Sequence, residues 1–129
     1  MIKGIGTDIA SIARFLPWID EPTLMRRYFH PLEIEEVSKR AQNIDKAATL
    51  AARFAAKESL GKALGRGLRG LQLSDIWVQK DFLGKPELRV QNSARRVLEE
   101  RGIDKIHLSL SHDGGLALAF VVLEGGVDE

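Results

Sequence analysis

The chain has 129 residues, a hydrophobic fraction of 44%, a charged fraction of 29% and a formal net charge of +1. This length suits one domain with a substantial core, and the small net charge argues against a non-specific nucleic-acid-binding protein. There is no cysteine, which excludes a disulfide framework and a thiol nucleophile. The N-terminus has no signal-peptide core and the longest apolar run, Leu116 to Leu123, is too short to span a bilayer, so we expect a cytoplasmic protein.

The chain opens with a predicted buried strand over residues 2–9. Gly4 and Gly6 lie inside it, and glycine within a strand indicates a bulge or the close approach of another backbone or a ligand. Asp8 is predicted to end this strand just before a short helical run. An aspartate in that position can be explained without any chemistry as an N-cap.

Two further helices are predicted before the middle of the chain, over residues 21–29 and 32–40. The first should end near Pro31, because the residue before a proline avoids the helical region. The second is amphipathic, and its glutamates are predicted to be exposed: Glu33, Glu35 and Glu36.

The alanine-rich stretch 44–70 predicts the longest helix, which the three glycines 65, 67 and 70 should end. At about 100° per residue, Glu58 lies in a stripe of mostly small or apolar residues: Ala47, Ala51, Phe54, Ala55, Gly61, Lys62 and Gly65. A buried carboxylate must be paired, protonated or metal-bound. A basic ridge is predicted beside it: Lys46, Arg53 and Lys57. This pattern suits a metal with a phosphate-bearing ligand, and a simple i,i+4 ion pair between Glu58 and Lys62 is the alternative.

The second half of the chain predicts two hairpins separated by a helix. The predicted segments are strands 73–80 and 87–90, helix 93–101 with Asn92 or Ser93 as its cap, and strands 106–110 and 116–123. Runs of strands alternating with runs of helices favour an α+β domain over 1–129, with a mostly antiparallel sheet and one long central helix.

Few residues outside the central helix suggest chemistry. Ser111, His112 and Asp113 do not form a catalytic triad, because neighbouring side chains on an extended segment point to opposite faces. His112 could still bind an anion beside Ser109 or Ser111. Asp8 and Glu58 remain as an acidic pair of the kind that binds Mg²⁺ together with water and phosphate, although their separation in sequence does not show that they are close.

Four segments also carry a resemblance to a known family. They are Gly4-Ile-Gly-Thr-Asp8-Ile with Arg14, the run from Arg53 to Gly65, Leu83-Gly-Lys-Pro86, and Ser109-Leu-Ser-His112 with residues 117–124. In this order they resemble the signatures of the holo-[acyl-carrier-protein] synthases, the short phosphopantetheinyl transferases. The resemblance spans nearly the whole chain and implies the fold of that family.

The resemblance implies transfer of the 4′-phosphopantetheine arm of coenzyme A to a serine of an acyl carrier protein in fatty-acid biosynthesis. Adenosine 3′,5′-bisphosphate would be released. By the same resemblance, Asp8 and Glu58 would hold Mg²⁺ against the diphosphate, and Lys62 would stabilise charge growing on the leaving group. The proton acceptor for the carrier serine stays open between Glu58 and a metal-bound hydroxide.

The remaining roles implied by the resemblance concern binding. The expected coenzyme A contacts are Arg53, Lys57, Lys62, Gly65, Pro86 and His112. Arg53 and His112 would hold the 3′-phosphate, and Pro86 with the Gly65 loop would hold the adenosine. Arg14 and Arg26 would meet the acidic carrier protein. Members of the family form homotrimers with a site at each subunit interface, so His112 is expected to come from a neighbouring chain.

Two departures from the family pattern are visible. Ser11 stands where many members have an acid, which would affect a contact near the metal, and Arg66 stands within the Gly-Thr-Gly that often follows the central helix. Two other readings stay open at this point: a nucleotide-binding module without catalysis, and a structural subunit whose central helix carries a ladder of salt bridges.

Overall fold

The computed structural model describes residues 1–126, so the last three residues of the predicted domain, 127–129, lie outside the described residues. The strands are β1 (Ile2–Ser11), β2 (Ile76–Lys80), β3 (Pro86–Val90), β4 (Ile103–Asp113) and β5 (Leu116–Gly125). The helices are α1 (Pro22–Tyr28), α2 (Pro31–Ser38), α3 (Asn43–Ala63) and α4 (Asn92–Glu100), with 3₁₀ helices at Ile12–Phe15, Pro17–Asp20 and Leu73–Asp75. This order confirms the predicted α+β class.

The described strands form two antiparallel sheets. One has the order β1-β5-β4 and the other is the β2-β3 hairpin. The turn between β4 and β5 contains Gly114 and Gly115 with φ values of 57° and 79°. A two-residue hairpin turn of type I′ needs positive φ at both central residues, which these glycines supply without steric cost. Both predicted hairpins are confirmed.

Helix α3 packs against β1 and β5 and forms the centre of the core. Most of its alanines are buried, as are Leu50 and Leu60. At the middle of α3, Phe54 meets the Phe15 ring with a centroid distance of 5.3 Å, and Phe15 in turn meets Trp18 at 4.9 Å. The small side chains bring α3 close to the sheet, while the aromatic cluster fills the space under the short helices that follow β1.

A very close approach in the core joins the backbones of β1 and α3. A Cβ atom at Gly4 would lie 2.0 Å from the carbonyl oxygen of Ala63, and one at Gly6 would lie 2.1 Å from that of Ser59. The glycines were expected to indicate either a bulge or a close approach, and β1 shows both, since its pairing with β5 also has a register shift between Ile2 and Gly4. Alternate strand residues share a face, so Asp8 points to the same side as Gly6, towards α3.

A buried ion pair joins α3 to α2 and β2. The Lys57 ammonium donates to Glu33 Oε1 at 2.6 Å and to the backbone carbonyls of Leu73, at 2.9 Å, and Ile76. Glu33 Oε2 accepts the backbone N–H of Val78 at 3.0 Å. Both side chains are 0% exposed. Burial lowers the pKa of Lys57, and the Glu33 carboxylate opposes that shift.

Two sequence-based predictions are therefore wrong. Glu33 is a core residue and not an exposed one, and Lys57 cannot contact coenzyme A from a position with no exposed surface. A helical period places a lysine relative to its own helix. The period of α3 gives no information about a carboxylate that the neighbouring helix α2 places beside that lysine.

Smaller differences concern helix ends. Asp8 is not an N-cap, because β1 continues to Ser11. The N-cap of α4 is Gln91, without a side-chain hydrogen bond, and the Asn92 amide instead donates to Asp75 at 3.0 Å. Within residues 1–126, no helix is long and apolar enough to cross a membrane.

We expect Gly6→Ala to destabilise the protein strongly. The new Cβ would clash with the backbone of α3, and overpacking of this kind typically costs about 1–3 kcal/mol. Urea unfolding of the wild type and the variant measures the change. Gly126→Ala is the matched control, because a Cβ there meets nothing within 4 Å. Equal urea midpoints for the two variants would contradict this prediction, because they would show that β1 moves away from α3 at no cost in stability.

We expect Lys57→Met to cost about 3–5 kcal/mol, since it leaves the Glu33 charge buried without a cation. The double variant Lys57→Met/Glu33→Gln should recover much of that loss, because it also removes the stranded charge. Chemical denaturation gives both values. Lys39→Met is the control, because its ion pair with Glu35 is largely exposed. A cost similar to that control would exclude a core role for Lys57.

Candidate active site

Three charged residues meet where β1 crosses the last turns of α3. The Lys62 ammonium donates to Asp8 Oδ1 at 2.9 Å, and Glu58 lies one turn before Lys62 on the helix. The Asp8 side chain is 19% exposed and that of Lys62 is 53% exposed. The lysine therefore pairs with the strand carboxylate, and not with Glu58 as the i,i+4 alternative expected.

Glu58 lies close enough to Asp8 for the two carboxylates to interact electrostatically. Partial burial raises the pKa of the Glu58 carboxyl above its ordinary value, and the negative charge of Asp8 adds to the rise. Lys62 and Arg14 oppose it. The proximity that sequence spacing could not establish is thus present in the fold, and Gly4 and Gly6 make it possible.

Arg14 lies on the rim of this cluster. It sits on the first 3₁₀ helix after β1, and its side chain is exposed to solvent. Its guanidinium lies 4.9 Å from the centroid of the Phe54 ring and 5.2 Å from that of Phe15. The rings hold a positive charge close to Glu58 while leaving its outer surface accessible.

The donor set suits a hard cation that is completed by a ligand. Within residues 1–126 there is no cluster of three or more His, Cys, Asp or Glu side chains that could hold a metal alone. Asp8 and Glu58 offer carboxylate oxygens, and Mg²⁺ is commonly bound by one or two carboxylates together with water and substrate phosphates. The residues present fit such an ion when a phosphate ligand accompanies it.

Arg53 lies outside this cluster. Its guanidinium donates to Glu36 Oε1 from Nη2 at 2.5 Å and from Nε at 3.1 Å, and its side chain is 6% exposed. A phosphate could reach Arg53 only by replacing Glu36. The predicted basic ridge of Lys46, Arg53 and Lys57 is therefore not a free surface: Lys46 is half-buried and the other two are held by glutamates of α2.

Sequence reasoning missed these two glutamates, although a signal was available. Glu33 and Glu36 stand three residues apart on α2, and Arg53 and Lys57 stand four apart on α3. Both spacings place the charges on one helix face. Two packed helices with matched acidic and basic faces pair as Glu33 with Lys57 and Glu36 with Arg53.

The other predicted site residues lie apart from the Asp8 cluster. Gly65 follows α3 with φ +73°, and its N–H donates to the Lys62 carbonyl at 2.9 Å. Pro86 begins β3 and lines a depression of about 360 Å³ with Lys105 and His107. His112, at the exposed end of β4, lines another of about 310 Å³.

Comparisons with known proteins identify the family of this chain. A family model for the 4′-phosphopantetheinyl transferase superfamily matches residues 4–121. Holo-[acyl-carrier-protein] synthase from Trichlorobacter lovleyi is 49% identical over 127 residues, covering 96% of this chain and 98% of the relative. The enzyme of the same name from Treponema denticola is 43% identical over 125 residues, covering 97% and 100%.

Solved structures of the same enzyme superpose closely. The crystal structure from Neisseria meningitidis has a TM-score of 0.84 at 38% identity and covers 96% of this chain and 99% of its own. The Bacillus anthracis structure, in complex with CoA (3′,5′-ADP), has a TM-score of 0.80 at 33% identity and covers 98% and 99%. The chain therefore belongs to the holo-[acyl-carrier-protein] synthases of the 4′-phosphopantetheinyl transferase superfamily.

Proposed function

We propose that this protein transfers the 4′-phosphopantetheine group of coenzyme A to a serine of apo acyl carrier protein, and that residues 1–129 form one transferase domain. The observation that carries the proposal is the cluster of Asp8, Glu58 and Lys62 in a chain of this family. The carrier that we propose is the one serving fatty-acid synthesis.

The reaction forms one P–O bond and breaks another. The carrier serine oxygen attacks the β-phosphorus of coenzyme A, the serine passes its proton to a base, either Glu58 or a hydroxide, and the bond to the bridging oxygen breaks to release adenosine 3′,5′-bisphosphate. Negative charge grows on that leaving group. Preorganised positive charge at such a position is usually the largest contribution to catalysis of phosphoryl transfer.

Asp8 and Glu58 are the residues that would hold Mg²⁺, which supplies positive charge against the diphosphate. The protein itself contributes the remaining interactions with the diphosphate. Lys62 is mobile enough to reach a phosphate oxygen, since its side chain is 53% exposed. β1 and α3 fix the two carboxylates on opposite elements, so that the diphosphate is bound between a strand and a helix.

The proposed contacts to the rest of coenzyme A follow the depressions described above. The Gly65 loop and Pro86 would receive the adenosine, and His112 would receive the 3′-phosphate. Arg53 would join His112 only after giving up Glu36. For the acidic carrier protein we propose Arg14, beside the cluster, and Arg26, on the exposed side of α1. Complementary charge of this kind guides encounter and orientation.

We also propose that the protein forms a homotrimer. The face of the β1-β5-β4 sheet that points away from α3 carries exposed apolar residues, 41–61% accessible: Ile5, Ile9, Leu116 and Phe120. An apolar patch of this kind marks a protein interface. The depression at His112 includes Ile9 and Leu116, so the same interface would bring a second chain to His112.

The transfer reaction is tested by mass spectrometry of an apo carrier protein incubated with this protein, coenzyme A and Mg²⁺. We expect a mass gain of one phosphopantetheine group, and EDTA should prevent it. Glu58→Gln should slow the transfer by more than about 100-fold, because loss of even an outer partner of a metal costs 10–100-fold. Glu35→Gln is the control, since Glu35 is exposed on α2 and its ion pair is with Lys39.

Three results would contradict parts of this proposal. No mass gain on any apo carrier protein would exclude the transferase reaction. A gain that EDTA leaves unchanged would exclude the divalent cation. Transfer by Glu58→Gln at the rate of Glu35→Gln would exclude Glu58 from the site, and a folded circular dichroism spectrum of each variant makes the comparison valid.

The homotrimer is tested by light scattering coupled to size-exclusion chromatography. The wild type should have the mass of three chains. Phe120→Asp should give a smaller species, because it places a charge in the proposed interface. Phe82→Asp is the matched control, since Phe82 is 94% exposed on the β2–β3 turn and away from that sheet face. A wild type that is active as a single chain would exclude the shared site.

A further inference from the structure

The ion pair between Lys62 and Asp8 occupies an oxygen that the proposed function assigns to a metal. The ammonium lies 2.9 Å from Asp8 Oδ1. It comes from the helix that also carries Glu58, one turn earlier. In the free protein the positive charge next to Asp8 is therefore supplied by the chain itself.

An ammonium and a divalent cation compete for the same carboxylate. Mg²⁺ loses its water reluctantly and depends on phosphate ligands when a site offers few carboxylates. Two carboxylates, one of them already paired, make a weak metal site. The phosphates of coenzyme A change this balance, because they offer oxygen ligands to the cation and a new partner to Lys62.

We propose that Lys62 occupies two positions: on Asp8 in the free protein, and on the phosphates of coenzyme A once the donor and a divalent cation are bound. The inference rests on the proposed function and adds an order of events to it. Coenzyme A draws Lys62 away from Asp8 and thereby opens the carboxylate to the cation. The cation and coenzyme A consequently bind with positive cooperativity, each raising the affinity for the other by the same factor.

The movement of Lys62 between these two positions requires little free energy. The Lys62 side chain is 53% exposed, so it moves through solvent and does not repack the core. Exposed ion pairs contribute up to about 1 kcal/mol. The two positions therefore differ by an amount that one phosphate contact can reverse. The buried pair of Lys57 and Glu33, whose lysine lies five residues before Lys62 on α3, lacks that freedom because neither side chain has exposed surface.

The test measures Mn²⁺ binding by electron paramagnetic resonance, because Mn²⁺ takes the same oxygen ligands as Mg²⁺. Binding is measured with and without coenzyme A, in the absence of carrier protein so that no transfer occurs. In the wild type, coenzyme A should tighten Mn²⁺ binding. Lys62→Met should bind Mn²⁺ about threefold to fivefold more tightly than the wild type when coenzyme A is absent, the factor that an exposed ion pair can supply. The tightening by coenzyme A should shrink by at least the same factor.

Removal of any nearby positive charge could also favour a cation, and Arg14→Gln controls for that effect. Arg14 also places a positive charge near Glu58, but its guanidinium lies over the Phe15 and Phe54 rings and not on Asp8. If Lys62 blocks Asp8 directly, Lys62→Met should tighten Mn²⁺ binding clearly more than Arg14→Gln. Equal changes in the two variants, or no change in Lys62→Met, would overturn the inference.

The parallel transfer assay separates this inference from the proposed function. One outcome is normal, EDTA-sensitive transfer by the wild type while Lys62→Met leaves the Mn²⁺ affinity unchanged. That result overturns the inference of two positions for Lys62 and leaves the proposed function standing. Absence of transfer by the wild type overturns the proposed function, and the inference falls with it.

Discussion

The contact between the backbones of β1 and α3 is the constraint on which the site depends. Side chains at Gly4 and Gly6 would occupy the space of the Ala63 and Ser59 carbonyls, so the strand can lie on the helix only where both residues lack a Cβ. Strand alternation then turns Asp8 towards α3, within reach of Lys62 and Glu58. A larger strand–helix distance would move Asp8 away from Lys62 and Glu58.

A second constraint fixes the rotation of α3 about its axis. Lys57 and Glu58 are adjacent, and consecutive helical residues point about 100° apart. The buried Glu33 anchors Lys57 on the side of α2 and β2, which leaves Glu58 on the side of β1. The chain thus uses two neighbouring charges for different purposes. One is desolvated and paired within the core, and the other is half-buried with a raised pKa at the site.

The sequence predicted much of this architecture for physical reasons. Glycines in a strand, an alanine-rich helix and a Gly-Gly hairpin turn each restrict the backbone locally, so β1, α3 and the β4–β5 hairpin could be read from composition and spacing. Asp8, Glu58 and Lys62 were predicted as site residues with the help of the family resemblance, and the fold brings these three side chains together. Lys57 was misplaced because its burial depends on Glu33, 24 residues away, and only a comparison of the charged faces of α2 and α3 could have indicated that pair. The ion pair of Lys62 with Asp8 was missed for the same reason, since it joins residues 54 apart.

The two faces of β1 connect the site to the proposed assembly. Asp8 points inward to α3, while Ile5 and Ile9 point outward and are 61% and 58% exposed. A second chain that covers the outer face would therefore pack against β1, the strand that positions the proposed metal ligand. The outer depression also holds His112, which the single chain leaves away from Asp8. A site completed by a neighbouring chain, as proposed, would account for a strand that carries the proposed metal ligand on one face and an exposed apolar surface on the other.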